Sequence, residues 1–167
     1  MKDRLKAAVR EGTMYLGSVV VLLLVAPVAA ILVQIFGFGH AADPLFTVLR
    51  WFVFWAVGVR LAIAGIRQMA NPAFTAETIF RIHDRETFKI VQELGFANVS
   101  IGLIGLVSIA ERGWVLPAGL AGAVFYGLAG IQHVRNARTT REETIAMVSD
   151  LLVFVVLGVL VGLVWTR

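Results

Sequence analysis

Five runs of predominantly apolar residues, at about 13–38, 45–66, 88–110, 114–132 and 144–165, approach the roughly 20 residues that carry a helix across a bilayer. In hydrocarbon every backbone polar group must be satisfied within the spanning segment, so runs of this length predict helices. The connections are mostly short. The expected fold is therefore an all-α integral membrane bundle of five transmembrane helices, with residues 1–167 as a single transmembrane domain. Composition points the same way: 59% of residues are hydrophobic and 16% charged, against about 45–50% apolar in a soluble domain. The chain has no cysteine, which excludes disulfides, thiolate metal sites and cysteine nucleophiles.

Local signals mark the span boundaries. Residues 1–10 are basic and Ala26-Pro27-Val28-Ala29-Ala30 is rich in small residues, as in a secretory signal, but apolar sequence continues through Ile31-Leu32-Val33. An uncleaved first span is expected, kinked at Pro27. Asp43-Pro44 offers an N-cap followed by proline at the first helical position, and Thr140-Arg141-Glu142-Glu143 reads as a capping box. Trp114 and Trp165 sit where interfacial aromatic anchors belong. Asn71-Pro72 stops the second span, and residues 75–82 predict a short interfacial helix, an ordinary loop being the alternative. His83-Asp84-Arg85-Glu86 reads as a solvated helix start capped by Asp84.

Lysine and arginine set the orientation. One side carries eleven of them, in residues 1–10, in the segments around Arg67, Arg81, Arg85 and Lys89, and around Arg135, Arg138 and Arg141; the other carries Arg112 and Arg167. This asymmetry predicts a cytoplasmic N-terminus, an odd number of spans and an external C-terminus. The net charge of +4 belongs to this topology, and no nucleic-acid partner is expected.

Three ionisable residues interrupt the apolar runs: Arg60, Glu93 and Asp150. Charges in hydrocarbon are costly and are usually paired. At about 1.5 Å per residue all three fall roughly 5–10 Å to the cytoplasmic side of the midplane, so they are expected to share one buried polar network. Ala56, Ala64 and Arg67 share the helical face of Arg60, while Trp51 and Trp55 lie opposite, so Arg60 is expected to face inward and the tryptophans lipid. Arg50 is expected to snorkel outward. Small-residue stripes at Gly95, Asn98, Gly102 and Gly105 and at Gly119, Ala123, Gly127 and Gly130 predict close packing of spans three and four. Gly158 and Gly162 form a GxxxG spacing compatible with a homo-oligomer or a partner membrane protein.

The network has three readings: a structural ion-pair set that fixes register, a proton or ion relay, and a headgroup pocket for a lipid-soluble ligand. For the last, Asn98, Tyr126, Gln132 and His133 are the candidate ligand-site residues. A histidine ending a helix is also simply favourable with the helix dipole. Metal ligation of His133 with Glu93, His83 or Glu86 has no diagnostic spacing, and bis-histidine haem is opposed by His40, which lies on the other side, so no metal site is assigned and any cofactor is unknown. There is no glycine-rich phosphate loop, GxSxG elbow or other nucleophile motif, and no catalytic residue is assigned.

Glu93-Leu94-Gly95-Phe96-Ala97-Asn98, with Tyr126-Gly127-Leu128-Ala129-Gly130-Ile131-Gln132-His133, resembles an uncharacterised family of small bacterial polytopic membrane proteins over spans two to five. The resemblance implies the fold and a bacterial origin, and brings no activity. The expectation is a non-enzymatic membrane component in contact with the lipid bilayer. A small proton- or ion-coupled transporter or channel is the alternative, and a membrane enzyme or redox accessory the third.

Overall fold

The computed structural model describes residues 12–37, 43–135 and 140–167. The basic stretch at residues 1–10, His40 and Arg138 lie outside them. Among the described residues all regular structure is helical. Five helices are long and apolar enough to cross a membrane: α1 (Gly12–Gly37), α2 (Pro44–Ala70), α4 (Thr87–Val107), α5 (Val115–Arg135) and α6 (Arg141–Trp165). Between α2 and α4 lies the short α3 (Phe74–Ile79), so residues 75–82 begin as a helix instead of a loop, with Thr75, Ala76 and Ile79 buried. The chain alternates direction. One end of the bundle, here called proximal, gathers the start of α1, the end of α2, α3, the start of α4, the end of α5 and the start of α6.

The boundary residues act as their chemistry dictates. Asp43 accepts from the Phe46 backbone N–H at 3.0 Å ahead of Pro44, and Thr140 Oγ1 accepts from the Glu143 N–H at 3.0 Å. Both satisfy otherwise orphaned helix-start donors. Asp84 accepts from the Glu86 N–H at 3.0 Å in the exposed segment before α4. Pro27 cannot donate a backbone hydrogen bond, and a stretch of wider i→i+5 turns at Val21–Val25 directly precedes it. A second wide stretch, Val53–Val59, lies in α2 immediately before Arg60.

Glycine positions decide which helices touch. A Cβ on Gly105 would lie 2.5 Å from the Gly58 backbone N, one on Gly102 2.7 Å from that of Ala62, and one on Gly65 2.6 Å from the Gly95 carbonyl oxygen. Thus α2 and α4 meet backbone to backbone, an approach only small residues permit. The stripe on α5 is used differently: a Cβ on Gly119 would meet Val161 at 2.9 Å, one on Gly127 would meet Phe154 at 2.8 Å, and one on Gly130 would meet Leu151 at 2.7 Å, all on α6. The expected close packing of spans three and four is therefore corrected. Each stripe is taken by another neighbour, α4's by small residues of α2 and α5's by large side chains of α6.

Two further expectations change at the distal end. Arg50 does not snorkel outward but donates through Nη2 to the Ile109 carbonyl in the turn just beyond α4. Trp51, assigned to lipid, donates through its indole N–H to Gln34 of α1, so α1 covers that face. The packed core lies mainly in this distal half, where Leu49, Val53 and Val57 of α2 meet Val115 of α5 and Val153 and Leu157 of α6.

Candidate functional site

Arg60 stands where packed core gives way to open space. At about 1.5 Å per residue it lies roughly 15 Å from the proximal end of α2, with Tyr126 of α5 and Asp150 of α6 at about the same depth from their own ends. Its Nη2 donates to Asp150 Oδ1 at 2.9 Å and to Ser149 Oγ at 2.8 Å. Both charged side chains are about nine-tenths buried. The guanidinium carbon also lies 4.9 Å from the centre of the Tyr126 ring, a cation–π distance. The Tyr126 hydroxyl donates to the Ala56 carbonyl at 2.5 Å, fixing α5 against the wide turns of α2.

A cavity of about 510 Å³ extends from this group toward the proximal end. Such a volume lies within the range of small-molecule pockets. Its walls come from all five long helices and α3. Ile63, Phe80 and Leu128 at its edge are exposed apolar side chains, so it opens on the apolar flank of the bundle. The proximal mouth is bounded by α3, whose Phe74 ring lies 3.7 Å beneath the Arg67 guanidinium. Thr140 also reaches the Thr78 carbonyl at 3.4 Å.

Two buried polar atoms on cavity-lining residues have no hydrogen-bond partner: Arg60 Nη1 and Asn98 Oδ1. Asn98 is only 3% exposed, and its Nδ2 donates to Gln68 Oε1 at 2.7 Å. Leaving a buried donor or acceptor unsatisfied costs about 1–3 kcal/mol. Both atoms belong to residues that line the cavity, and neither is satisfied within the bundle.

Of the residues singled out in the sequence, Arg60, Asp150, Asn98, Tyr126, Gln132 and His133 all line this cavity. Glu93 does not. It is exposed on α4, away from Arg60, and its place in the network is corrected. The cause is the rotation of α4: the face bearing Gly95, Gly102 and Gly105 is pressed against α2, which turns Glu93, Ala97 and Ser100 outward. His133 is buried, and its Nδ1 lies 3.5 Å from Glu143 Oε1 instead of near Glu93, His83 or Glu86. Among the described residues no three His, Asp or Glu side chains converge as a metal-holding group.

Sequence reasoning missed Gln68, Tyr15, Ser149 and Glu143. Gln68 follows Arg60 and Ala64 at helical spacing, so phase alone could have placed it on the cavity face. Ser149 adjoins Asp150. Glu143 was absorbed by the capping-box motif, although its side chain is only 2% exposed.

Residues 17–167 match the family of unknown function DUF6790. The chain belongs to this family. The match covers the whole of α2 to α6 and every cavity-lining residue of the DUF6790 fold except Tyr15. No curated protein and no solved structure matches the chain.

Proposed function

We propose that this protein is a membrane-embedded binding component whose cavity takes a lipid-soluble, amphiphilic small molecule by its polar head. The observation that carries this reading is the pair of unpartnered buried atoms, Arg60 Nη1 and Asn98 Oδ1, on one cavity that opens on an apolar flank. A ligand would arrive through lipid and satisfy both. The membrane assigned is the bacterial inner membrane, with the proximal end cytoplasmic, supported by the lysine and arginine asymmetry of the loops. Residues 1–167 serve as one transmembrane domain in this reading.

The test is the complement of small molecules that travels with the protein. Full-length protein purified into nanodiscs is extracted with organic solvent and compared by mass spectrometry with Ala129→Phe, which fills the cavity from its α5 wall. A compound enriched with the parent and lost in Ala129→Phe supports the proposal. Identical complements oppose it.

A second reading rests on another observation. Asp150 and His133 wall the same cavity, and Glu143 lies beside His133, so ionisable groups lead from mid-bundle to the proximal end. That sequence suits a proton relay in a coupled transporter. Proteoliposome flux driven by a pH gradient and abolished by Asp150→Asn would favour it over binding alone.

A further inference from the structure

We infer that the cavity selects an uncharged amphiphile whose head carries two polar oxygens about one helical turn apart, and that it discriminates against anionic lipids. This rests on the reading of the cavity as a ligand pocket and specifies the occupant. The deep end asks for an acceptor, because the unpartnered Arg60 Nη1 can only donate. That acceptor need not be charged: Asp150 already balances the guanidinium at 2.9 Å. A second anion would place two negative groups on one cation in a low-dielectric site, where an unmatched charge costs several kcal/mol.

The second polar contact is Asn98. Its Nδ2 is held by Gln68 and its Oδ1 has no partner, and an amide oxygen can only accept, so the second polar group of the head must be a donor, a hydroxyl. Its position relative to Arg60 follows from the register of α2 and α4. Gly95 faces Gly65 and Gly102 faces Ala62, which places Asn98 nearer the proximal end than Arg60 by about one turn, roughly 5 Å. The cavity wall also carries apolar Leu61, Leu94 and Phe125, suited to a ring or the first carbons of a tail. The edge at Ile63 and Leu128 leads the tail outward. Arg67, the other cation on the wall, is exposed at the proximal mouth over Phe74 and adds no charge at the deep end.

Two sources share this chemistry, the hydroxyl-bearing ring of a quinol and a glycerol monoester. Full-length protein in zwitterionic nanodiscs is titrated with decyl-benzoquinol under reducing conditions, monoolein and oleyl phosphate, and the probe retained per protein is measured by native mass spectrometry. At least one uncharged probe is expected to be retained about tenfold more tightly than oleyl phosphate, and the better of the two identifies the source. Asn98→Leu and Arg60→Lys, which keeps a cation for Asp150, are each expected to lower that retention about tenfold, the loss of one hydrogen bond to a buried partner. Should Arg60→Lys not fold, Asn98→Leu decides alone.

Equal or tighter retention of oleyl phosphate overturns the selectivity while leaving the pocket standing. Unchanged retention in Asn98→Leu overturns the two-point head. If no probe is retained and Ala129→Phe carries the parent's molecules, the pocket reading falls as well.

Discussion

Arg60 of α2 and Asp150 of α6 hold each other at 2.9 Å although ninety positions separate them in the chain. The pair ties the second and fifth spans together at the floor of the cavity, with Ser149 and the Tyr126 ring completing the shell around the guanidinium. Removing one partner leaves a buried charge unmatched, which typically costs about 3–5 kcal/mol. Arg60→Leu and Asp150→Leu are each expected to destabilise the protein by about that amount in nanodisc thermal denaturation. The double variant should lose less than the sum of the two, with a coupling of about 2–3 kcal/mol. Additive losses would mean that the pair does not act as a pair.

Tyr126→Phe keeps the ring beneath Arg60 and removes only the hydroxyl that meets the Ala56 carbonyl. The expected loss is about 1 kcal/mol, the net value of a typical hydrogen bond. Denaturation midpoints at matched lipid composition read it. A loss of about 3 kcal/mol or more, the cost of a broken charged network, would indicate that the hydroxyl serves Arg60 as well.

Gly105 and Gly158 make a controlled comparison. A Cβ at Gly105 would lie 2.5 Å from backbone of α2, whereas one at Gly158 has nothing within 4 Å. Gly105→Ala should separate α2 from α4 and cost about 1–3 kcal/mol, while Gly158→Ala should stay within about 0.5 kcal/mol as a monomer. Oligomer-dependent destabilisation by Gly158→Ala would instead assign the Gly158 and Gly162 face to an interface between copies.

Glu93→Gln is expected to change stability by no more than about 0.5 kcal/mol, because Glu93 faces outward and has no ion-pair partner among the described residues. The same substitution should leave ligand retention unchanged. A large effect in either assay would return Glu93 to the polar network.

The contrast between Asp150 and Glu93 shows what the sequence could express. Span positions and caps are local properties of composition, and the depth of each charge follows from them, so a meeting of Arg60 with an acid was open to derivation. Which acid depends on rotation about the helix axis. For α4 that rotation is set by Gly95, Gly102 and Gly105 seating on Gly58, Ala62 and Gly65. A stripe of glycines announces a close neighbour without saying which helix it is, and depth alone set Glu93 level with Arg60 without fixing the face on which it lies. Glu143 was hidden for a related reason: a motif explains its backbone position while its side chain turns toward His133. The cavity had no sequence signal of its own. It is the space left beyond the packed core toward the proximal end, between walls contributed by all five long helices and α3.

The most direct measurement is an experimental density map of the full-length protein crystallised from a lipid mesophase. The account predicts elongated non-protein density in the cavity, with a polar end about 3 Å from Arg60 Nη1 and a second polar contact at Asn98. A cavity closed by side chains, with Arg60 Nη1 bonded to a protein group and Asn98 fully paired within the bundle, would contradict it.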